Sequence, residues 1–177
     1  MRQKSKNILS ISACCLSSLL FFSVAAADHD HGHDKHESKN LPPVTNETYR
    51  QECGACHFVY QPGLLPAGSW EKIMNQLPAH FAEELEIEQG AKNVIADYLR
   101  SNAAEHASAE RAAKILKSLN GQKTLRITEI PYIRKKHREL QQDIFSRQSV
   151  GSLANCPACH TSAEQGVYED DLVKIPQ

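Results

Sequence analysis

Aromatic side chains are scarce: five Phe, five Tyr and one Trp make up 6% of the 177 residues. A small domain with so few large apolar groups builds a thin core, so something other than side chains should help to fill it. Methionine is nearly missing, with Met1 and Met74 the only two. A centre that needs a thioether ligand can therefore find only one beyond the start residue. Positive charge is not in excess: 20 Lys and Arg face 21 Asp and Glu, a net charge of −1. That balance offers no basic footprint for nucleic acid. Cysteine occurs only as three close pairs, Cys14/Cys15, Cys53/Cys56 and Cys156/Cys159.

The one long apolar stretch lies at the N-terminus. Arg2, Lys4 and Lys6 precede a mostly apolar run from Ile8 to Val24, and Ala25, Ala26 and Ala27 supply small residues before the polar Asp28. This is the three-part layout of a secretory signal, with a run short for a membrane span and no stop-transfer flank. Ile11-Ser12-Ala13-Cys14 has the outline of a lipoprotein site, but the apolar run continues past Cys14, where a lipidated cysteine should end it. We therefore expect residues 1–27 to be cleaved and the protein to be exported, to the periplasm of a bacterium. Their loss removes three basic and no acidic residues, taking the net charge from −1 to −4. Cys14 and Cys15 leave with them, and no cysteine remains for a separate disulfide.

The four remaining cysteines sit in two copies of one motif, Cys53-Gly54-Ala55-Cys56-His57 and Cys156-Pro157-Ala158-Cys159-His160. C-x-x-C-H is the attachment signature of c-type haem. Two thiols three positions apart on a helical turn reach the vinyl groups of one porphyrin, and the adjacent histidine swings beneath the iron as an axial ligand. A redox dithiol would expect a βαβ context, which the sequence does not offer. A zinc site would have to join segments about a hundred residues apart, whereas zinc modules hold their ligands closer. The motifs thus predict two covalently bound haems c, with iron, on Cys53, Cys56 and His57 and on Cys156, Cys159 and His160.

The second axial ligand decides what each haem can do: Met/His ligation raises the potential, and an open position permits ligand binding or catalysis. Met74 lies in a stretch where Trp70, Ile73, Met74 and Leu77 repeat at helical spacing, with Ser69 as the expected N-cap, so we read it as core. His80 follows Pro78 where that helix breaks, beside Phe81. His137 falls on one face with Ile130, Ile133, Leu140 and Ile144, on a helix expected from Pro131 to Arg147. His106, among small and polar neighbours, reads as exposed. We therefore pair His57 with His80 and His160 with His137, as two six-coordinate bis-His haems of low potential. Spacing alone leaves exchange of the distal ligands between halves open.

The expected architecture is all-α: two small haem-binding helical modules, residues 44–120 and 121–177, the first cytochrome c-like. A charged, His-rich leader at 28–43 precedes them, and we read its histidines, His29 to His36, as solvated rather than metal-bound. Further helices are expected at Asn46–Cys56, Glu86–Ser101 and Ser108–Leu119, the last ending at an Asn120-Gly121 cap. A short helix should carry the second motif. The candidate ligand follows its motif in the first half and precedes it in the second, which is not a simple tandem duplication.

From Thr45 to Pro176 the sequence resembles the dihaem cytochrome c (DHC) family of bacterial exported proteins. The likeness is carried by Glu52-Cys53-Gly54-Ala55-Cys56-His57, Leu64-Leu65-Pro66, Ser69-Trp70, Leu77-Pro78-Ala79-His80-Phe81, Asp97-Tyr98-Leu99, Asn102-Ala103-Ala104, Lys136-His137-Arg138-Glu139-Leu140, Asn155-Cys156-Pro157-Ala158-Cys159-His160 and Ile175-Pro176. The resemblance implies an electron carrier with bis-His haems and supports His80 and His137 as distal ligands. It also implies a membrane b-type cytochrome or a small, soluble, oxygen-binding cytochrome c as partner. The alternatives are a dihaem peroxidase and a haem-based ligand sensor. Both need an open or labile sixth position, so neither is expected here.

Overall fold

The computed structural model describes residues 39–177. The expected signal segment and the histidines of the leader lie outside the described residues. Those described form six α-helices joined by 3-10 turns, with no β-strand among them.

Helix α1 (Glu47–Gly54) starts where Asn46 accepts a hydrogen bond from the Tyr49 N–H at 2.8 Å. That cap satisfies an orphan donor, and Glu47 in the first turn suits the helix dipole. A Cβ on Gly54 would stand 2.8 Å from the Val59 side chain, so any larger residue there has to push Val59 aside. Helix α2 (Ala67–Asn75) buries Ser69, Trp70, Ile73 and Met74. Its cap differs from expectation: the N-cap position is Pro66, and Ser69 is already inside the first turn. Proline offers no capping side chain, so the Ala67 N–H is held instead by the Glu105 carboxylate at 2.9 Å, a contact from far along the chain.

Helix α3 (Gln89–Ser101) begins three residues later than its apolar pattern predicts, because the Glu88 carboxylate caps the Ala91 N–H at 3.1 Å. Helix α4 (Glu110–Leu119) ends as expected, with Asn120 in the left-handed region at φ 48° and its N–H on the Leu116 carbonyl at 3.2 Å. It buries Ala112, Ile115 and Leu119. Each large aliphatic buried this way contributes roughly 1.5–3 kcal/mol, well above any propensity term.

The helix expected over Pro131–Arg147 is two helices, α5 (Pro131–His137) and α6 (Gln142–Ser146). Gln141 then takes extended backbone, ψ 143°, and the new helix carries Ile144 into the interior, 8% exposed. The second motif occupies a 3-10 turn, Cys156–Ala158, with Pro157 within it.

Hydrogen bonds tie the N-terminal to the C-terminal part. The fully buried Gln61 donates to the Ala163 carbonyl at 2.6 Å and accepts from the Tyr168 hydroxyl. Tyr60 donates to the Ala154 carbonyl at 2.8 Å, and the Leu41 N–H to the Gly166 carbonyl at 3.1 Å. Gly166 is at φ 75°, and a Cβ there would collide with the Leu41 backbone.

Candidate haem sites

The first motif straddles the end of α1. Cys53 is the half-buried final-turn residue, while Cys56 and His57 lie beyond the helix and are exposed. The His57 Nδ1 is 2.7 Å from the Phe58 carbonyl oxygen. A carbonyl can only accept, so Nδ1 carries the proton and Nε2 is left with its lone pair for a metal.

His80 faces His57 from the turn that follows α2. The His80 N–H donates to the Leu77 carbonyl at 3.2 Å, and the Glu83 N–H to the His80 carbonyl at 2.9 Å. Phe81 and Ala82 between them both have positive φ, 51° and 81°. Left-handed backbone at non-glycine residues costs energy and clusters at functional sites. Arg126 stacks over the Phe81 ring, 4.3 Å from its centroid, and closes the turn from outside.

The His57 and His80 rings have centroids 6.3 Å apart and planes inclined by only 18°. A first-row metal binds an imidazole nitrogen at about 2 Å, with the ring centroid about 1.1 Å behind, so two imidazoles on opposite sides of one iron stand about 6 Å apart. The pair fits that spacing. Cys53, Cys56, His57 and His80 all line one cavity of about 330 Å³ whose walls include Leu65, Trp70, Ile73, Met74 and Leu77. Met74 is thus both core, as expected, and cavity wall; it is 4% exposed. A planar apolar group with one polar edge suits such a space. Burial, the neighbouring His57 and Arg126 all push the His80 pKa down, which favours the neutral, ligating imidazole. Burial pushes the Cys53 and Cys156 thiols up to about 11.

The second motif is held by backbone: the His160 N–H reaches the Cys156 carbonyl at 2.8 Å, and the Lys174 N–H reaches Cys159 at 2.9 Å. His137, at the last turn of α5, has Nδ1 2.8 Å from the Ile133 carbonyl, so it too presents Nε2. The His137 and His160 centroids are 6.0 Å apart, again the spacing of two axial ligands, but their planes are inclined by 74°. Burial, then His137 and Arg111, lower the His160 pKa. Tyr168 packs against His160 with its ring centroid 5.4 Å away. Among the described residues the four cysteines form no disulfide, and no three His, Cys, Asp or Glu side chains converge as a metal cage. His106 is exposed and apart from both pairs, as its neighbours implied.

The structure thus brings His57 beside His80 and His160 beside His137. A model of the dihaem cytochrome c family matches residues 49–168. The chain belongs to this family. Solved structures of the same family resemble it. The chain is 38% identical to a dihaem cytochrome c from Rhodobacter sphaeroides, covering 72% of this chain and 100% of that one, with a TM-score of 0.64. It is 31% identical to a dihaem cytochrome c from Shewanella baltica, covering 74% and 93%, with a TM-score of 0.60. No match was found among curated proteins. This dihaem cytochrome c accordingly carries two c-type haems with iron, and the all-helical fold expected for it is the one observed.

Several residues around the haem sites of the cytochrome escaped the sequence. Leu125, Arg126, Ile127, Thr128 and Ala154 line the first cavity although they lie far along the chain from its motif. Tyr60 links the two sites: its ring is 5.3 Å from His57, and its hydroxyl bonds Ala154, whose carbonyl also accepts the Cys156 N–H at 3.0 Å. One signal was available for Arg111, a cation one helical turn from Ile115 and two from Leu119 on an otherwise apolar stripe.

Proposed function

We propose that this cytochrome is an electron carrier of the bacterial periplasm with two bis-His, low-potential haems and no enzymatic role. Cys53 and Cys56 hold the first haem, with His57 and His80 on its iron. Cys156 and Cys159 hold the second, with His160 and His137. The observation that supports the reading best is the pair of imidazole separations, 6.3 and 6.0 Å, each suited to an iron closed on both sides. A closed iron leaves no position for peroxide or a gas, so such a haem cycles electrons and little else. Haem c supplies the one-electron couple; the protein orients the imidazoles and fixes their tautomers through Phe58 and Ile133.

A membrane b-type cytochrome is the donor that suits an exported carrier, and a small soluble cytochrome c the acceptor. The N-terminal layout of charged head, apolar run and Ala25-Ala26-Ala27 supports export with cleavage after residue 27.

Opening one iron at a time tests the ligand assignment. His80→Ala and His137→Ala should each bind one equivalent of carbon monoxide when reduced, while the parent protein binds none. Binding of carbon monoxide by the parent would replace the carrier with a sensor or a peroxidase.

A further inference from the structure

Arg111 is a mostly buried cation that the packing leaves unexplained. Its side chain is 11% exposed, on the apolar face of α4. One terminal nitrogen donates to the Tyr168 carbonyl at 2.9 Å, and the guanidinium carbon lies 5.4 Å from the centroid of the Tyr168 ring. Its nearest carboxylate, Glu169, is 3.8 Å away and about a third exposed, at 32%. Nε is buried with no hydrogen-bond partner among the described residues. A mostly buried charge with a distant counterion is costly unless something else meets the part of it that borders a cavity.

The surroundings indicate an anion. Arg111 borders a polar cavity of about 200 Å³ whose charged lining is Lys39, Lys114 and Lys136 against Glu110, Glu169 and Asp170. Two of the acids and two of the lysines pair with each other, Glu110 with Lys114 at 2.8 Å and Asp170 with Lys136, which leaves Arg111 and Lys39 against the more distant Glu169. Lys136 immediately precedes His137, and Tyr168 packs on His160, so this cavity adjoins the second pair of axial histidines. The group that must lie between those histidines carries propionate carboxylates. A guanidinium matches a carboxylate in shape and in its fork of donors.

We propose that Arg111 takes a propionate of the second haem and that its buried charge raises that haem's reduction potential. The inference rests on the assignment of His137 and His160 to one iron. It also means that a helix of the N-terminal half holds the cofactor attached in the C-terminal half. The sign follows from electrostatics: a fixed cation disfavours the more positive ferric state, and neutralising the propionate removes a charge that favoured it.

Spectroelectrochemical titration of the holoprotein tests the proposal. His137→Met identifies the second couple, because methionine ligation moves it upward. If neither couple moves in His137→Met, the ligand assignment fails rather than the role of Arg111. In Arg111→Gln the second couple should fall by about a tenfold change in the ferric-to-ferrous ratio, about 59 mV for one electron. The first couple should stay in place. Equal shifts of both couples, or no shift, would overturn the proposal. Should Arg111→Gln fail to load both haems, Arg111→Lys decides by resonance Raman. A moved propionate bending band of the second haem supports the contact, and an unmoved band overturns it.

Discussion

Replacing Gln61 with leucine should show how much of the stability rests on one buried amide. The side chain is 0% exposed and bonded at both ends, to the Ala163 carbonyl at 2.6 Å and to the Tyr168 hydroxyl. The Ala163 carbonyl also accepts the Gly166 N–H at 2.9 Å, so it keeps a partner and loses only the second bond, about 0.5–1.5 kcal/mol. The Tyr168 hydroxyl is left buried without an acceptor, at about 1–3 kcal/mol. Gln61→Leu should therefore cost roughly 2–4 kcal/mol, and Tyr168→Phe somewhat less, since it strands only the Gln61 oxygen. In the double variant nothing is stranded between the two positions. The losses should fall short of additive by the two stranding costs together, at least about 2 kcal/mol. Guanidinium unfolding of the four holoproteins, followed by far-UV circular dichroism, reads all the terms at constant m-value. Additivity within about 0.5 kcal/mol would refute the idea that these two residues satisfy one another.

Gly166→Ala should destabilise by at least about 2 kcal/mol, because φ 75° strains any side chain and the new methyl displaces the Leu41 backbone; thermal unfolding within a degree of the parent would contradict this. Replacing Cys53 and Cys56 together with serine should lower the denatured mass by one haem and leave the haem on Cys156 and Cys159. Retention of both haem masses would mean attachment elsewhere.

Local chemistry made much of this fold legible. Asn46 and Asn120 announce helix ends because their side chains or left-handed backbone satisfy orphan groups within a few residues. The two C-x-x-C-H motifs could be read because attachment chemistry restricts residue type and order, and scarce methionine left the histidines at 80 and 137 as candidates, which the fold brings beside the motif histidines. What escaped depends on distant chain. The cap of α2 comes from Glu105, and the first cavity is completed by Arg126 and Ala154. The break between α5 and α6 turns on where Ile144 must be buried, which apolar periodicity alone does not state. The clasp of Gln61 on Tyr168 joins residues more than a hundred positions apart, and a lone glutamine carries no mark of it.

Low-temperature electron paramagnetic resonance of the oxidised protein, with an optical scan under carbon monoxide on reduction, tests the central claim most directly. The account predicts two low-spin ferric signals of unlike shape and no carbon monoxide adduct. Nearly parallel imidazoles, inclined by 18° at the first pair, lift the degeneracy of the iron d orbitals, whereas the crossed planes at 74° leave it nearly intact and widen the anisotropy. A stoichiometric high-spin signal, or an adduct with carbon monoxide, would mean an open iron and would contradict the account.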